Sequence, residues 1–428
     1  MGWNKTKPKS RELVAVPEGF TWTDAPITIY KNELGKFETD FDVSDYEITG
    51  KTYYVSLNGS DSNNGLTLGT AFATVQKALT MSDVDVVLVA EGLYKKTNTG
   101  VPGLGTSTVT IPRLCSIKTM SGKVIFSMHQ ELVWSLTSGK INTYQASRSG
   151  VGRVFDAKYI DNYGDYQELD KLLSIDEVEN NTNSWYTDGT IVYVHTVDNR
   201  QPDTLIRPYF STVDCIKSIS GHSVYLEGIE VEGGGSVLTV ANTAILSPNI
   251  YAKNCKFKYS TANDAVNIEG ATNFYAQNCE VAQSYGDGFN YHILNGVISN
   301  VIEVNCVGRD NGGANVNIDN GSTMHDGGKV IRVNGAYFRN KGSNIGDINT
   351  GTQTWNLGCV NFDSLAQTDD RFKSNFTAHA DAEMWNDGCY SYGSLNANTV
   401  QDNATMHLRN CRMEGGQTLE GTGQVLTY

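Results

Sequence analysis

The sequence is poor in charge and in proline. Charged residues make up 19% of the 428 positions and Pro only 8 of them, whereas Gly supplies 43. A disordered chain would be richer in both charge and proline, so disorder is disfavoured. Positive charge is also scarce: 33 Lys and Arg against 47 Asp and Glu give −14, which excludes the basic face needed to bind nucleic acid irrespective of its sequence. No apolar run approaches the ~18 residues of a membrane span, and no apolar segment of a signal peptide follows Met1-Gly2-Trp3-Asn4-Lys5. No membrane association is expected, and a protein working outside a cell would leave by another route. Cys-x-x-Cys pairs are missing, as are nucleophile elbows and phosphate-binding glycine loops in their required contexts. Neither a metal nor an organic cofactor is therefore expected.

What is present repeats. Tyr251-Ala252-Lys253-Asn254-Cys255-Lys256-Phe257 is followed by Tyr275-Ala276-Gln277-Asn278-Cys279-Glu280-Val281, then by Val304-Asn305-Cys306-Val307. Related segments recur around Gly335, Cys359, Cys389 and Cys411, and Gly228 fits the frame upstream. Successive steps between 228, 255, 279, 306, 335, 359, 389 and 411 are 27, 24, 27, 29, 24, 30 and 22 residues. A repeat of this length indicates a solenoid. Within each unit, short alternating segments rich in β-branched and aromatic residues are separated by Gly, Asn and Asp, and helical periodicity is almost missing. The expected fold is all-β, a right-handed parallel β-helix, with Cys or Gly stacked rung upon rung in its interior as free thiols rather than disulfides.

The flanking regions fit this scheme. Apolar residues at 72, 75, 78 and 79 predict a short helix with Thr70 as its N-cap, closing the open end of the β-helix from residue 51 onward. Asp188-Gly189 between two alternating runs, in WYTDGTIVYVH, predicts a hairpin carried by an excursion over 156–210. Residues 1–50 fit no coil; with Lys5, Lys7, Lys9 and Arg11, then Glu33, Glu38, Asp40, Asp42 and Asp45, they are expected to form an N-terminal arm, either docking onto a larger assembly or serving as an irregular cap.

Together the opening YYVSLNGSDSNNG, TAFATVQKAL and VVLVAEGLY, the hairpin and the coils resemble the pectin-lyase-like β-helix superfamily, over about residues 51–428. The Asn- and Gly-rich coils further resemble phage tail-spike proteins, including those that depolymerise surface polysaccharides. The resemblance implies a virion location at the host surface, a bacterial surface polysaccharide as partner, a homotrimer, and tail or baseplate proteins met through residues 1–50. A glycan lyase of the same fold and a non-catalytic adhesin are the alternatives.

Chemistry on a solenoid is read rung against rung, since equivalent positions stack about 4.8 Å apart. Aligning Asp264–Glu269, Asp287–His292 and 315–319 places Val266/Ile268, Phe289/Tyr291 and Val316/Ile318 inward. The opposite parity builds an outward ladder of Asn267, Asn290 and Asn317, beside one of Glu269, His292 and Asp319. In that register Glu269 and Asp319 lie two rungs apart, about 9–10 Å, near the ~6.5–9.5 Å of an inverting glycosidase. His292 between two acids is suited to carry a proton near neutral pH, and the asparagines to bind sugar hydroxyls. Asp264 and Asp287, one rung apart, approximate a retaining pair at ~5–5.5 Å, or else bond their own turns. His325 and Asp326, in a loop between coils, and Asp347 in the next coil extend the candidate groove. A lyase would need carboxylates beside a base, which Asp310 next to Arg309, with Asp287, imitates.

Overall fold

The computed structural model describes residues 11–97, 101–218, 221–244, 246–313 and 318–428. Among the described residues, three long parallel sheets of ten, twelve and ten strands run side by side along a right-handed parallel β-helix. One coil illustrates all of them: Asn249–Lys253 lies in the twelve-stranded sheet, Lys256–Lys258 in the second, and Val266–Glu269 in the third. That third sheet carries the candidate site and is called the site sheet below.

The Asn-Cys repeat has two functions. Asn254, Asn278, Asn305, Asn334 and Asn410 all take the left-handed conformation, with φ of 53–54°, at the corner between the first two sheets. Asn tolerates this conformation because its side chain can bond locally. The amides also stack: Asn278 donates to Asn254, and Asn305 to Asn278, each at 3.1 Å. The following cysteine turns inward. Its thiol donates to carbonyls of the chain, as Cys279 does to Ala252 at 3.3 Å, and the eight cysteines are free. One alignment shifts by a residue: Gly228 occupies the left-handed corner, and Ile229 rather than Gly228 fills the cysteine position.

The capping helix is Val75–Leu79 and buries Val75, Ala78 and Leu79 against the first coils. Its N-cap is Thr74, whose hydroxyl accepts from Lys77 N at 3.1 Å. Thr70 instead closes a preceding 3-10 turn with Thr67, because the chain bends once more before the helix starts. The predicted hairpin is formed by Ser184–Thr187 and Ile191–His195. Its excursion is wider than 156–210, since the chain leaves the coil after Val124–Ser127 and rejoins it at Ile216–Ser218. Ser135–Leu136 and Tyr144–Ser147 belong to the same five-stranded sheet as the hairpin and so extend the insert backward. Two buried charge clusters fasten it: Glu232 accepts from Tyr166, Arg207 and Tyr209, and Asp165 from Lys258 and Arg309.

Residues 11–50 form a strap along the protein's own twelve-stranded sheet. Phe20, Trp22, Phe37 and Phe41 are buried against an outward row that includes Tyr225, Tyr275, Ile302, Trp355 and Trp385. Thr21 bonds Gln353 at the far end, Val43 bonds Gln277 midway, and Ile48 bonds Ser116 near the first coils. Phe20, Trp22, Phe37 and Phe41 of the expected arm are thus used within the chain.

Candidate active site

On the site sheet Val266, Phe289 and Ser322 align, as do Asn267, Asn290 and Thr323. The third rung is therefore Ser322–Met324 and not 315–319. The cause is turn length: residues 310–321 separate Val307–Arg309 from the site sheet, where the preceding coil needs only 283–288. Asn317 lies outside the described residues, and Thr323 takes the third place in the ladder expected to hold it. The second outward ladder is Glu269, His292 and His325, the two imidazoles stacked at 4.2 Å between centroids. Asp319 leaves the ladder and joins Asp264 and Asp287 in the tier of turns that lead into the strands.

These residues meet in one cavity of about 440 Å³, which also reaches Asn320, Gly346, Phe372, Thr377 and His379. The cavity opens where the sheet parts. Between Ser322–Met324 and Ile345–Ile348 only Ser322 and Ile345 are paired, and the outward position between Ile345 and Asp347 is Gly346, with no side chain. Asp347 itself has inward parity and is buried, with both carboxylate oxygens engaged by Arg332 at 2.8 and 2.9 Å. It also accepts from Met324 N at 2.8 Å, replacing a missing ladder bond. Asp347, expected in substrate binding, lines the cavity from beneath while Arg332 holds its carboxylate. Asp326 accepts from His292 at 3.3 Å, fixing the ring from behind.

Three buried carboxyls dominate the electrostatics. Asp264 accepts from Asp287 N at 2.8 Å and from the Asn290 amide at 2.9 Å. Burial raises its proton affinity, partly offset by these bonds. Asp287 accepts from Asn320 N; burial, then repulsion by Asp264, push it well above the ordinary range. Burial and Asp264 push Asp319 up to about 7, and Lys341 opposes the shift. None of the three takes part in an ion pair among the described residues, and one oxygen of Asp319 has no hydrogen-bond partner although buried. The Asn290 carbonyl is likewise unpartnered. Burial, then the neighbouring His292, lower His325 to about 4 and keep it neutral. Glu269 is half-buried and accepts from Asn267 at 3.2 Å.

The Arg309–Asp310 grouping is elsewhere. Arg309 is buried on the second sheet, bonded to Asp165, Glu280 and Asp310, and does not line this cavity. Thr323, Asn320, Thr377 and His379 had no signal in the sequence beyond their polarity, because their placement depends on turn lengths.

No protein-family model matches this chain, and neither does any curated protein. Solved structures do resemble it. A structure of XylC with xylose is similar at a TM-score of 0.56 and 12% identity, covering 86% of this chain and 69% of its own. Pectate lyase Pel9A gives 0.47 at 14% identity over 90% and 80% of the two chains. A glycoside hydrolase gives 0.46 at 8% identity over 87% and 97%. The likeness to XylC shows the fold, a parallel β-helix, which the sequence implied.

Proposed function

We propose that the protein hydrolyses a polysaccharide at the cavity of the site sheet, with Asp319 as proton donor and Asp264 and Asp287 as the pair that activates water. The observation that carries this reading is the tier of three buried carboxyls, none of them in an ion pair among the described residues. Such carboxyls resist ionisation, so that at neutral pH they hold fewer charges than acids. Asp319, with a free buried oxygen and an affinity near 7, has its proton available for transfer. Asp264, whose two oxygens both accept hydrogen bonds, best holds the negative charge.

In the reaction, the glycosidic carbon–oxygen bond breaks as the leaving oxygen takes the Asp319 proton. Water adds to the sugar carbon and gives its proton to the Asp264–Asp287 pair. Glu269, Asn267, Asn290, Thr323 and His292 line the path and offer partners for sugar hydroxyls. The setting we propose is a phage tail spike, homotrimeric and joined to tail proteins, acting on a bacterial surface polysaccharide; its support is the sequence resemblance.

The test is depolymerisation of capsular and wall polysaccharides, followed by chain length, reducing ends and ultraviolet absorbance. Reducing ends without absorbance, lost by about 100-fold or more in Asp319→Asn, is the expected result. Unsaturated products would mean a lyase, and binding without shortening an adhesin.

A further inference from the structure

A second cavity, of about 810 Å³, lies between the insert and the β-helix, next to the first. The two are adjacent across Gly312 and Gly313. A side chain on Gly312 would meet Lys341 on one side and, at 3.3 Å, a carboxylate oxygen of Asp319 on the other. Asn263 lines the first cavity and Ala262 the second. The two cavities thus lie side by side along the turns that precede the site sheet.

The two cavities differ in charge. The first is lined by Asp264, Glu269, Asp287 and Asp319 and by no lysine or arginine. The second carries Arg153, Lys171 and Lys341 against Glu168 and Asp170. Arg153 and Glu168 satisfy each other through two bonds of 2.6 and 2.7 Å. Lys341 stands at the junction, half-buried, and its ammonium donates to the Gly313 carbonyl at 3.1 Å. That carbonyl uses one of the ammonium's three donors, and Glu168 and Asp319 lie near enough to act on its charge without bonding to it. The Lys341 ammonium is bonded to no carboxylate among the described residues. Tyr285 adjoins it, 39% exposed, with Gly313 close against its ring. An exposed aromatic face beside an ammonium with donors to spare suits a sugar ring bearing a carboxylate.

We infer that the second cavity is a glycan subsite for an acidic sugar, in which Lys341 binds the carboxylate and Tyr285 stacks on the ring. The inference rests on the proposed action on polysaccharides and adds its substrate class: a glycan with an acidic residue near the cleaved linkage. The insert forms the outer wall of this subsite, which gives its buried anchors on Glu232 and Asp165 a purpose.

Binding is measured on a panel of uronic-acid-containing capsular oligosaccharides and neutral xylo-, gluco- and galacto-oligosaccharides, using Asp319→Asn protein so that cleavage does not intervene. The expected result is binding to acidic members that weakens about tenfold or more in Lys341→Met and Tyr285→Ala, and is retained in Lys341→Arg. Added salt weakens it as well. Unchanged thermal midpoints of the variants show that they remain folded. Binding to neutral members alone, no binding to any acidic member, or equal acidic binding by Lys341→Met overturns the inference. Acidic binding by a protein that, as wild type, cuts none of these glycans leaves the subsite standing and removes the hydrolase reading.

Discussion

At the scale of single residues, the carboxyl tier works against the stability of the fold. Folding raises the proton affinities of Asp264, Asp287 and Asp319 above those in the unfolded chain. The stabilisation this represents is complete below the unfolded range near ~3.9 and is lost as pH rises through the folded values. For Asp319 that window ends at about 7. Asp287→Asn keeps an oxygen to accept from Asn320 N while removing the charge that Asp264 repels. The variant should melt a few degrees higher than wild type at about pH 8, with no gain at about pH 4, while losing cleavage. Calorimetry at the two pH values checks this; equal midpoints at about pH 8 would show that Asp287 costs the native state nothing.

Single elements show what the sequence made legible. The period, the inward cysteines and the hairpin at Asp188-Gly189 were readable because each follows from local chemistry that repeats or stands alone. The register of one coil was not. The sequence 315–319 alternates as a strand would, yet more residues separate Val307–Arg309 from the site sheet than in the preceding coil, and only pairing with Phe289–His292 identifies Ser322–Met324 as the rung. The inward direction of Asp347 was not legible either, since a carboxylate in the interior is unexpected until Arg332 is found there. The Asn corner was legible as a repeat but not as a conformation. Its positive φ makes a sharp prediction. Asn278→Ala forces a Cβ without a compensating side chain into the left-handed region and breaks the ladder to Asn254 and Asn305, costing about 1–2 kcal/mol. Asn278→Gly relieves the backbone term and loses only the exposed amide bonds, so it should denature closer to wild type. Reversal of that order would mean that the ladder, not the backbone, holds the corner.

Across the whole molecule the solenoid has a weakness that the strap corrects. Each coil touches only its neighbours, so stability accumulates locally and nothing in the repeat ties distant coils together. The strap does so, since residues 11–50 run from the Gln353 coil back to Ser116 and cross the intervening rungs. Its far end is held by Phe20, whose ring lies 6.0 Å from Trp355 and 5.8 Å, edge-on, from Trp385. Phe20→Ala removes the filling of that pocket, a loss of about 3–5 kcal/mol where the surroundings cannot collapse. The loss is larger than the strap's individual hydrogen bonds supply at about 1 kcal/mol each, so the far end should detach while the coils stay folded. The hairpin that carries Lys31 and Lys36 would then be freed from the sheet, and trypsin should cut there faster in Phe20→Ala than in wild type. Cleavage of glycan should be unaffected, because the strap covers the twelve-stranded sheet and the carboxyls lie on the site sheet. Equal protection in both proteins would show that the aromatic contact is dispensable, and that the bonds at Gln277 and Ser116 suffice to hold the strap.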